Sequence, residues 1–177
     1  VVADRHNLQL MFDAAHALGS THGGKPIGNF GRAEVFSFHA TKVMNTFEGG
    51  AVATNDEDLA SKIRLMKNFG FAGYDRVIYI GTNGKMSDAA AAMGLSGLEN
   101  LPDFIAVNQR NHHQYRSELA DVPGLVVLEP PPGEASNFHY VVAEVDEEAA
   151  GLGREQLIAV LAAEGVLARR YFWPGIH

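Results

Sequence analysis

Lys42 closes the run Ser37-Phe38-His39-Ala40-Thr41-Lys42, with Asp13-Ala14-Ala15-His16 before it and Glu48-Gly49-Gly50 after it. A lysine amine adds to a carbonyl carbon when its surroundings leave it unprotonated, so a lysine on a structured loop is a candidate nucleophile. Most lysines are solvated surface charges, and the neighbours of Lys42 are what set it apart. Asp13 ends the apolar run Leu8-Gln9-Leu10-Met11-Phe12. That run reads as a buried strand, which would deliver a carboxylate to its C-terminal end, the usual ligand edge of an α/β sheet. Glu34-Val35-Phe36-Ser37-Phe38 reads as a second strand, bringing Ser37, His39 and Lys42 toward the same edge. An amine, a carboxylate, a short hydroxyl and imidazoles gathered there suit the floor of a pyridoxal 5'-phosphate (PLP) site.

The elements that must position these groups are legible as apolar runs between glycine-rich turns. Gly49-Gly50 opens a returning strand, Ala51 to Thr54. Asn55 or Asp56 then caps a helix over Leu59 to Asn68, with acids in its first turn. Gly70, Gly73, Gly81 and Gly84 mark a flexible loop, after which Ser87 caps a helix over Asp88 to Leu98. The small side chains Ala89 to Ala92 suit that helix to close packing. Pro102 breaks the pattern, and Asp103 to Leu119 reads as a long amphipathic helix with Phe104, Ile105, Val107, Tyr115 and Leu119 facing inward. A composition shift follows: a strand at Leu125 to Leu128, a stiff Pro130-Pro131-Pro132-Gly133 turn, a strand His139 to Val145, a helix Arg154 to Glu164 and a strand Val166 to Tyr171. This α+β pattern places a domain boundary near Ala106, dividing the chain into residues 1–105 and 106–177.

Composition narrows the function classes. The chain has 177 residues, enough for a substantial core, with 46% apolar and 20% charged residues as in globular proteins. Lys and Arg number 14 against 21 Asp and Glu, a formal charge of −7. An acidic surface without a basic stripe argues against nucleic-acid binding, and it gives no help in attracting an anionic substrate. With no cysteine, disulfides, thiolate zinc sites and cysteine nucleophiles drop out. No run reaches the roughly 20 apolar residues of a membrane span and no signal peptide is visible, so a cytoplasmic location is expected. The chain opens on Val1-Val2-Ala3-Asp4 and stops at Trp173-Pro174-Gly175-Ile176-His177, which reads as an internal fragment of a longer protein.

The motifs Asp13-Ala14-Ala15-His16, Ser37 to Lys42, Glu48-Gly49-Gly50, Gly81 to Ser87 and Ala91-Ala92-Met93-Gly94-Leu95 occur in an order and at separations that resemble the DegT/DnrJ/EryC1/StrS family of PLP-dependent sugar aminotransferases. The likeness is densest from Leu8 to Leu101. It continues more thinly through Tyr171-Phe172-Trp173-Pro174 and His177, similar to a stretch of the family's C-terminal domain. The resemblance implies an α/β fold of the fold-type-I aminotransferase kind, with a mixed, mostly parallel sheet. Residues 1–105 would be the C-terminal part of the PLP-binding large domain, and 106–177 part of a small α+β domain.

The resemblance also implies roles. Lys42 would carry PLP as a Schiff base and, once released, move protons as base and acid. Asp13 would keep the pyridine nitrogen protonated by charge pairing, and His16 would reach the ring or its 3'-oxygen, where the family usually has glutamine. Ser37 would bond the phosphate, His39 would orient the lysine loop with Glu48 in support, and Asn83 would reach the phosphate of a neighbouring subunit's cofactor. Tyrosine and arginine are common in the family where this chain has Gly84 and Lys85. The implied reaction moves an amino group, from glutamate, to a keto carbon of a nucleotide-linked deoxysugar, with a 4-keto-6-deoxyhexose favoured, in a homodimer with shared sites.

Other readings fare less well. A sugar 3-dehydratase branch of the family replaces the lysine with histidine, which Lys42 opposes. A 3-keto sugar or cyclitol aminotransferase and a non-catalytic PLP-binding regulatory relative stay open. Amino-acid lyases of the same fold set their lysine in a different sequence. His112-His113 with His139 hints at a metal, but adjacent histidines on one helix point about 100° apart, so these read as surface histidines and no metal is expected. The Gly19 to Gly31 turns lack the Gly-Lys-Ser/Thr ending of a phosphate loop.

Overall fold

The computed structural model describes residues 2–175. The chain forms two compact units: one runs through Val107 and takes in Pro131–His139, and the other holds Asn108–Pro130 and the chain from Tyr140 onward.

In the first unit, helix α1 (Val2–Arg5) ends where Leu8 N donates to Ala3 O at 2.9 Å. Leu8 is thereby occupied in closing that turn, and strand β1 (Met11–Asp13) starts later than the apolar run predicts. A short antiparallel hairpin follows, β2 (Thr21–His22) and β3 (Lys25–Pro26). It turns on Gly23-Gly24, both at positive φ (57° and 73°), the left-handed region that a two-residue hairpin turn needs. The main sheet has the order β1-β4-β5. β1 runs parallel to β4 (Ala33–Ser37), with Met11 opposite Ala33 and Asp13 opposite Val35. β5 (Gly50–Ala53) returns antiparallel, with Gly50 opposite Ser37. The sheet is mixed, as expected, but β1 is not buried. Among the described residues β1 pairs with β4 alone and Met11 is 66% exposed, whereas Ala33, Glu34 and Phe36 of β4 are buried.

Helix α2 (Glu57–Met66) begins on Asp56, whose carboxylate accepts from Leu59 N at 2.9 Å. Helix α3 (Asp88–Glu99) begins on Ser87, whose hydroxyl accepts from Ala90 N at 3.2 Å. The small-residue face of α3 backs the loop between β4 and β5. Met44 and Thr46 of that loop are almost fully buried. A Cβ built at Gly97 would lie 2.7 Å from Met44 Cγ, and one at Gly94 2.9 Å from Thr46 Cγ2. Glycine is what lets the helix come this close. Helix α4 (Leu101–Leu119) starts earlier than predicted. Pro102 lies in its first turn, where no intrahelical N–H is required, so it opens the helix rather than breaking it.

In the second unit, β6 (Leu125–Val127) and β7 (Ala143–Val145) pair antiparallel, with Leu125 opposite Val145. Helices α5 (Glu147–Ala150) and α6 (Arg154–Ala163) follow. Three expectations fail here. The strand predicted from His139 forms its ladder only from Ala143. Residues 166–171 form no strand, because Val166 N donates to Leu161 O at 2.8 Å and Ala168 N to Val166 O at 3.1 Å, so tight local turns use the donors a ladder would need. On α4, Phe104, Val107 and Tyr115 are exposed while Ile105 and Leu119 are half-buried, and the fully buried side chain is His112. It is 3% exposed, with Nε2 2.9 Å from Leu128 O, a correction to its reading as a surface histidine. Its neighbour His113 is exposed.

Tyr171 packs tilted and Phe172 edge-to-face against Tyr140, at centroid distances of 5.4 and 6.1 Å. Arg154 lies over the Trp173 ring at 5.8 Å. His177, part of the predicted C-terminal motif, lies outside the described residues, as does Val1. Among the described residues no helix is long and apolar enough to cross a membrane.

Candidate active site

Parallel pairing of β1 and β4 points both C-terminal ends to one edge of the sheet. Asp13 ends β1 and Ser37 ends β4. Ala14 N continues the ladder by donating to Val35 O at 2.9 Å, and the Asp13 carboxylate accepts from Ala15 N at 3.0 Å. The turn closes with Ala17 N donating to Ala14 O at 2.9 Å, which places His16 directly after that edge.

The segment from Phe38 to Gly49 is a closed loop rather than a loose connection. Phe38 N donates to Gly49 O at 2.8 Å and Thr46 N to Phe38 O at 2.9 Å. The Thr46 hydroxyl donates to Glu48 O at 2.9 Å. Lys42 stands on this loop, partly buried, with its backbone N donating to His39 O at 2.9 Å. Ser37 Oγ accepts from His39 N at 3.4 Å. The His39 ring folds over its own turn: Nδ1 lies 2.9 Å from Thr41 Oγ1 and accepts from Thr41 N at 3.2 Å. A backbone N–H can only donate, so Nδ1 is the acceptor and the ring proton sits on Nε2. Nε2 faces Glu48 Oε1 at 3.5 Å. Glu48 therefore supports His39, and His39 supports the turn that presents Lys42.

A second histidine joins His16 here, one that the sequence reading placed on the surface. His139 is partly buried, its ring 6.2 Å from that of His16 in an edge-to-face arrangement. Burial, first, and then the Lys42 charge hold the His16 pKa below its usual value, against an opposing pull from Asp13. Burial first, then His16 and Lys42, hold the His139 pKa below its usual value, against an opposing contribution from the Thr41 backbone. Both imidazoles thus favour the neutral form.

Asn137 brings His139 to this place. It is 4% exposed, and its Nδ2 donates to His16 O at 2.7 Å and to Leu18 O at 2.9 Å. Its Oδ1 accepts from His139 N at 3.0 Å. The same segment is fastened further along: Thr21 N donates to Ala135 O at 3.0 Å, and Glu134 accepts from Gly23 N at 3.0 Å while pairing with His22 at 3.1 Å. One sign of this was present in the sequence, the polar Asn137 and His139 within a run otherwise readable as a strand.

Asn83 is exposed, and its described side-chain bond is from Lys85 Nζ to its Oδ1 at 2.6 Å. Lys85 also lies over the Phe69 ring at 4.2 Å, and Asn83 bridges Asn68 in the backbone. The structure therefore gathers Asp13, His16, Ser37, His39, Lys42 and Glu48 on one edge and sets Asn83 on a separate exposed loop. The donor set on that edge fits PLP: an amine for its carbonyl, a carboxylate for its ring nitrogen and a hydroxyl for its phosphate. Among the described residues no group of three or more acidic or histidine side chains is placed to hold a metal ion.

The chain is similar to known proteins over its whole length. The family described as the DegT/DnrJ/EryC1/StrS aminotransferase family matches residues 1–177. A dTDP-4-amino-4,6-dideoxy-D-glucose transaminase of Shigella dysenteriae is 38% identical over 99% of this chain and 47% of its own length. A GDP-perosamine synthase of Caulobacter vibrioides is 34% identical over 98% of this chain and 47% of its own. The solved structure of DesI in the presence of its TDP-sugar product is 53% identical and superimposes with a TM-score of 0.93, over 99% of this chain and 45% of that one. The chain thus spans about half the length of the relatives it matches. With its fold, its motif order and its whole length in agreement, the chain belongs to the DegT/DnrJ/EryC1/StrS aminotransferase family.

Proposed function

We propose that the whole protein is a PLP-dependent aminotransferase that moves an amino group, from glutamate, to the keto carbon of a nucleotide-linked 4-keto-6-deoxyhexose. The observation that carries this reading is the shared edge of β1 and β4, where Asp13, Ser37 and the Lys42 loop converge. The C4 position is supported by the Shigella relative, named for a 4-amino-4,6-dideoxy sugar.

When bound, PLP supplies an electron sink that makes the hydrogen on the amine-bearing carbon acidic. The chain's residues do the rest. Asp13 presents a carboxylate that pairs with a ring N–H. Ser37 offers a hydroxyl on the rigid end of β4 to a phosphate oxygen. Lys42 would hold the cofactor through Nζ, and its freed amine would take a proton from one carbon and return it to the carbon two atoms along. His39 and Glu48 keep the loop in register during that exchange. His16, favouring the neutral form, can bond near the ring without adding a competing positive charge. Asn83, on its exposed loop, serves the site of a second copy, so the working unit is a cytoplasmic homodimer.

The test is borohydride reduction of the PLP-loaded full-length protein followed by peptide mapping. A pyridoxyl adduct on Lys42 is expected, and an adduct on another lysine would refute the mechanism. Incubation with glutamate should yield pyridoxamine phosphate, whereas its absence from PLP-loaded protein would favour a regulatory, non-catalytic protein. Amination of a 3-keto rather than a 4-keto nucleotide sugar would overturn the substrate choice.

A further inference from the structure

The loop 68–85 is fastened by its backbone to the end of α2 and leaves the Asn83 side chain outside. Thr82 N donates to Met66 O at 2.9 Å, Phe69 N to Thr82 O at 3.1 Å and Gly84 N to Lys67 O at 2.8 Å. Asn83 is thereby held on both sides, and it pairs with Asn68 across the loop. Its amide oxygen meets the Lys85 ammonium, with Nζ 2.6 Å from Oδ1. The same ammonium lies 4.2 Å from the centre of the Phe69 ring, close enough for a cation–π attraction. Phe69 sits at φ 59°, a backbone conformation that a bulky side chain rarely adopts, and the bond from its N–H to Thr82 O keeps it there. An ammonium has hydrogens to give and no lone pair, so the atom of the Asn83 amide that faces Lys85 is the oxygen. The NH2 group stands on the other branch of the amide, with no partner among the described residues.

We propose that Lys85 is a positioning residue for Asn83: it takes the amide oxygen and so commits the two amide hydrogens to an oxyanion, the phosphate of the cofactor bound by a second copy. The inference rests on the reading that Asn83 serves that phosphate. A phosphate dianion accepts hydrogen bonds and has none to give, so an NH2 group matches it and a carboxamide oxygen does not. Without Lys85 the amide can turn over and show the wrong atom. The lysine charge beside the amide also strengthens its N–H groups as donors to an anion. A hydrogen bond to a charged group that forms in only one of the two amide orientations is worth about tenfold in affinity.

The test uses the full-length protein with Lys85→Met, Lys85→Arg, Asn83→Ala and the double variant Lys85→Met with Asn83→Ala. Met keeps the apolar stem without a donor, whereas Arg keeps a donor for the amide oxygen. Binding is followed by the absorbance of the bound cofactor, with PLP and, separately, with pyridoxal, which has the same ring and aldehyde but no phosphate. Lys85→Met should weaken PLP binding by about tenfold and leave pyridoxal binding unchanged. Lys85→Arg should recover most of the affinity. Adding Lys85→Met to Asn83→Ala should cause no further loss, because the lysine acts through the amide. An unchanged PLP affinity in Lys85→Met beside a weakened Asn83→Ala would overturn the proposal. So would an equal loss for pyridoxal, a Lys85→Arg that behaves like Lys85→Met, or losses that add in the double variant, which would mean that the ammonium meets the phosphate by itself. Asn83→Ala that binds PLP as tightly as its parent would sink the underlying reading of Asn83 instead, and the proposal with it.

Discussion

Gly94→Ala tests how helix α3 supports the Lys42 loop, because two effects of opposite sign compete at one position. Alanine in place of glycine inside a helix stabilises by about 0.5–1 kcal/mol. Against this, the new methyl would lie 2.9 Å from Thr46 Cγ2, where carbon atoms prefer about 3.5–4.0 Å. Thr46 has little room to withdraw. It is 1% exposed, its hydroxyl donates to Glu48 O at 2.9 Å and its N–H to Phe38 O at 2.9 Å, and its branched side chain is stiff at χ1. Overpacking of a filled site costs about 1–3 kcal/mol. The balance is a net loss of about 1 kcal/mol, with the strain directed into the loop that carries Lys42. Ser96→Ala, at an exposed position of the same helix, isolates the propensity term and should stabilise by about 0.5 kcal/mol. Urea denaturation of both variants gives the free energies, and amide exchange over residues 38–46 reports where the strain goes. A Gly94→Ala protein as stable as its parent, with unchanged exchange in the loop, would refute this account of the packing.

Three further outcomes follow from the same geometry. His16 and His139 both have folded pKa values below the usual histidine value, so the unfolded chain binds protons more readily. Their contribution is therefore fully present above a pH of about 6.5 and is lost as pH falls below it. Thermal melts from pH 8 to 5 should show this fall, and His16→Gln with His139→Gln should flatten it. Ser87→Ala removes the hydroxyl that accepts from Ala90 N and should cost about 1 kcal/mol in urea denaturation. Asn137→Asp puts a carboxylate against the His16 and Leu18 carbonyls, which the native amide serves as donor. At pH 7 it should destabilise by more than Asn137→Ala, by about 3 kcal/mol in all, and the gap should narrow toward pH 5 as the acid gains a proton to donate.

The local parts of this molecule were readable because their causes are local. Asp56 and Ser87 cap helices within three residues of themselves. The loop motif from Ser37 to Lys42 also makes its bonds over short separations, His39 to Thr41 and His39 to Lys42. Its small-residue helix was legible as a packing surface, since Ala and Gly at close spacing have few other uses. The exposure of β1 has a different cause. An apolar run states that a segment can be buried, but not whether the residues that bury it lie in the same stretch of chain, and among the described residues, in a chain that spans about half the length of its relatives, Met11 and Phe12 pair with β4 alone.

His112 and His139 show where periodicity stops informing. A histidine carries no preference for a face, and its placement is decided by whichever distant polar group can satisfy it. For His112 that group is the Leu128 carbonyl, 16 residues away. For His139 the placement beside His16 comes through Asn137, which takes the His139 N–H and spans 121 residues to His16 and 119 to Leu18. Such contacts are held by hydrogen bonds with partners that no window of sequence contains. A buried asparagine with all its bonds satisfied costs little once folded, yet it is destabilising in nearly any other arrangement of the chain. Asn137 therefore specifies the position of the 131–139 segment more sharply than an apolar residue of the same size would, and with it the place of His139 beside His16.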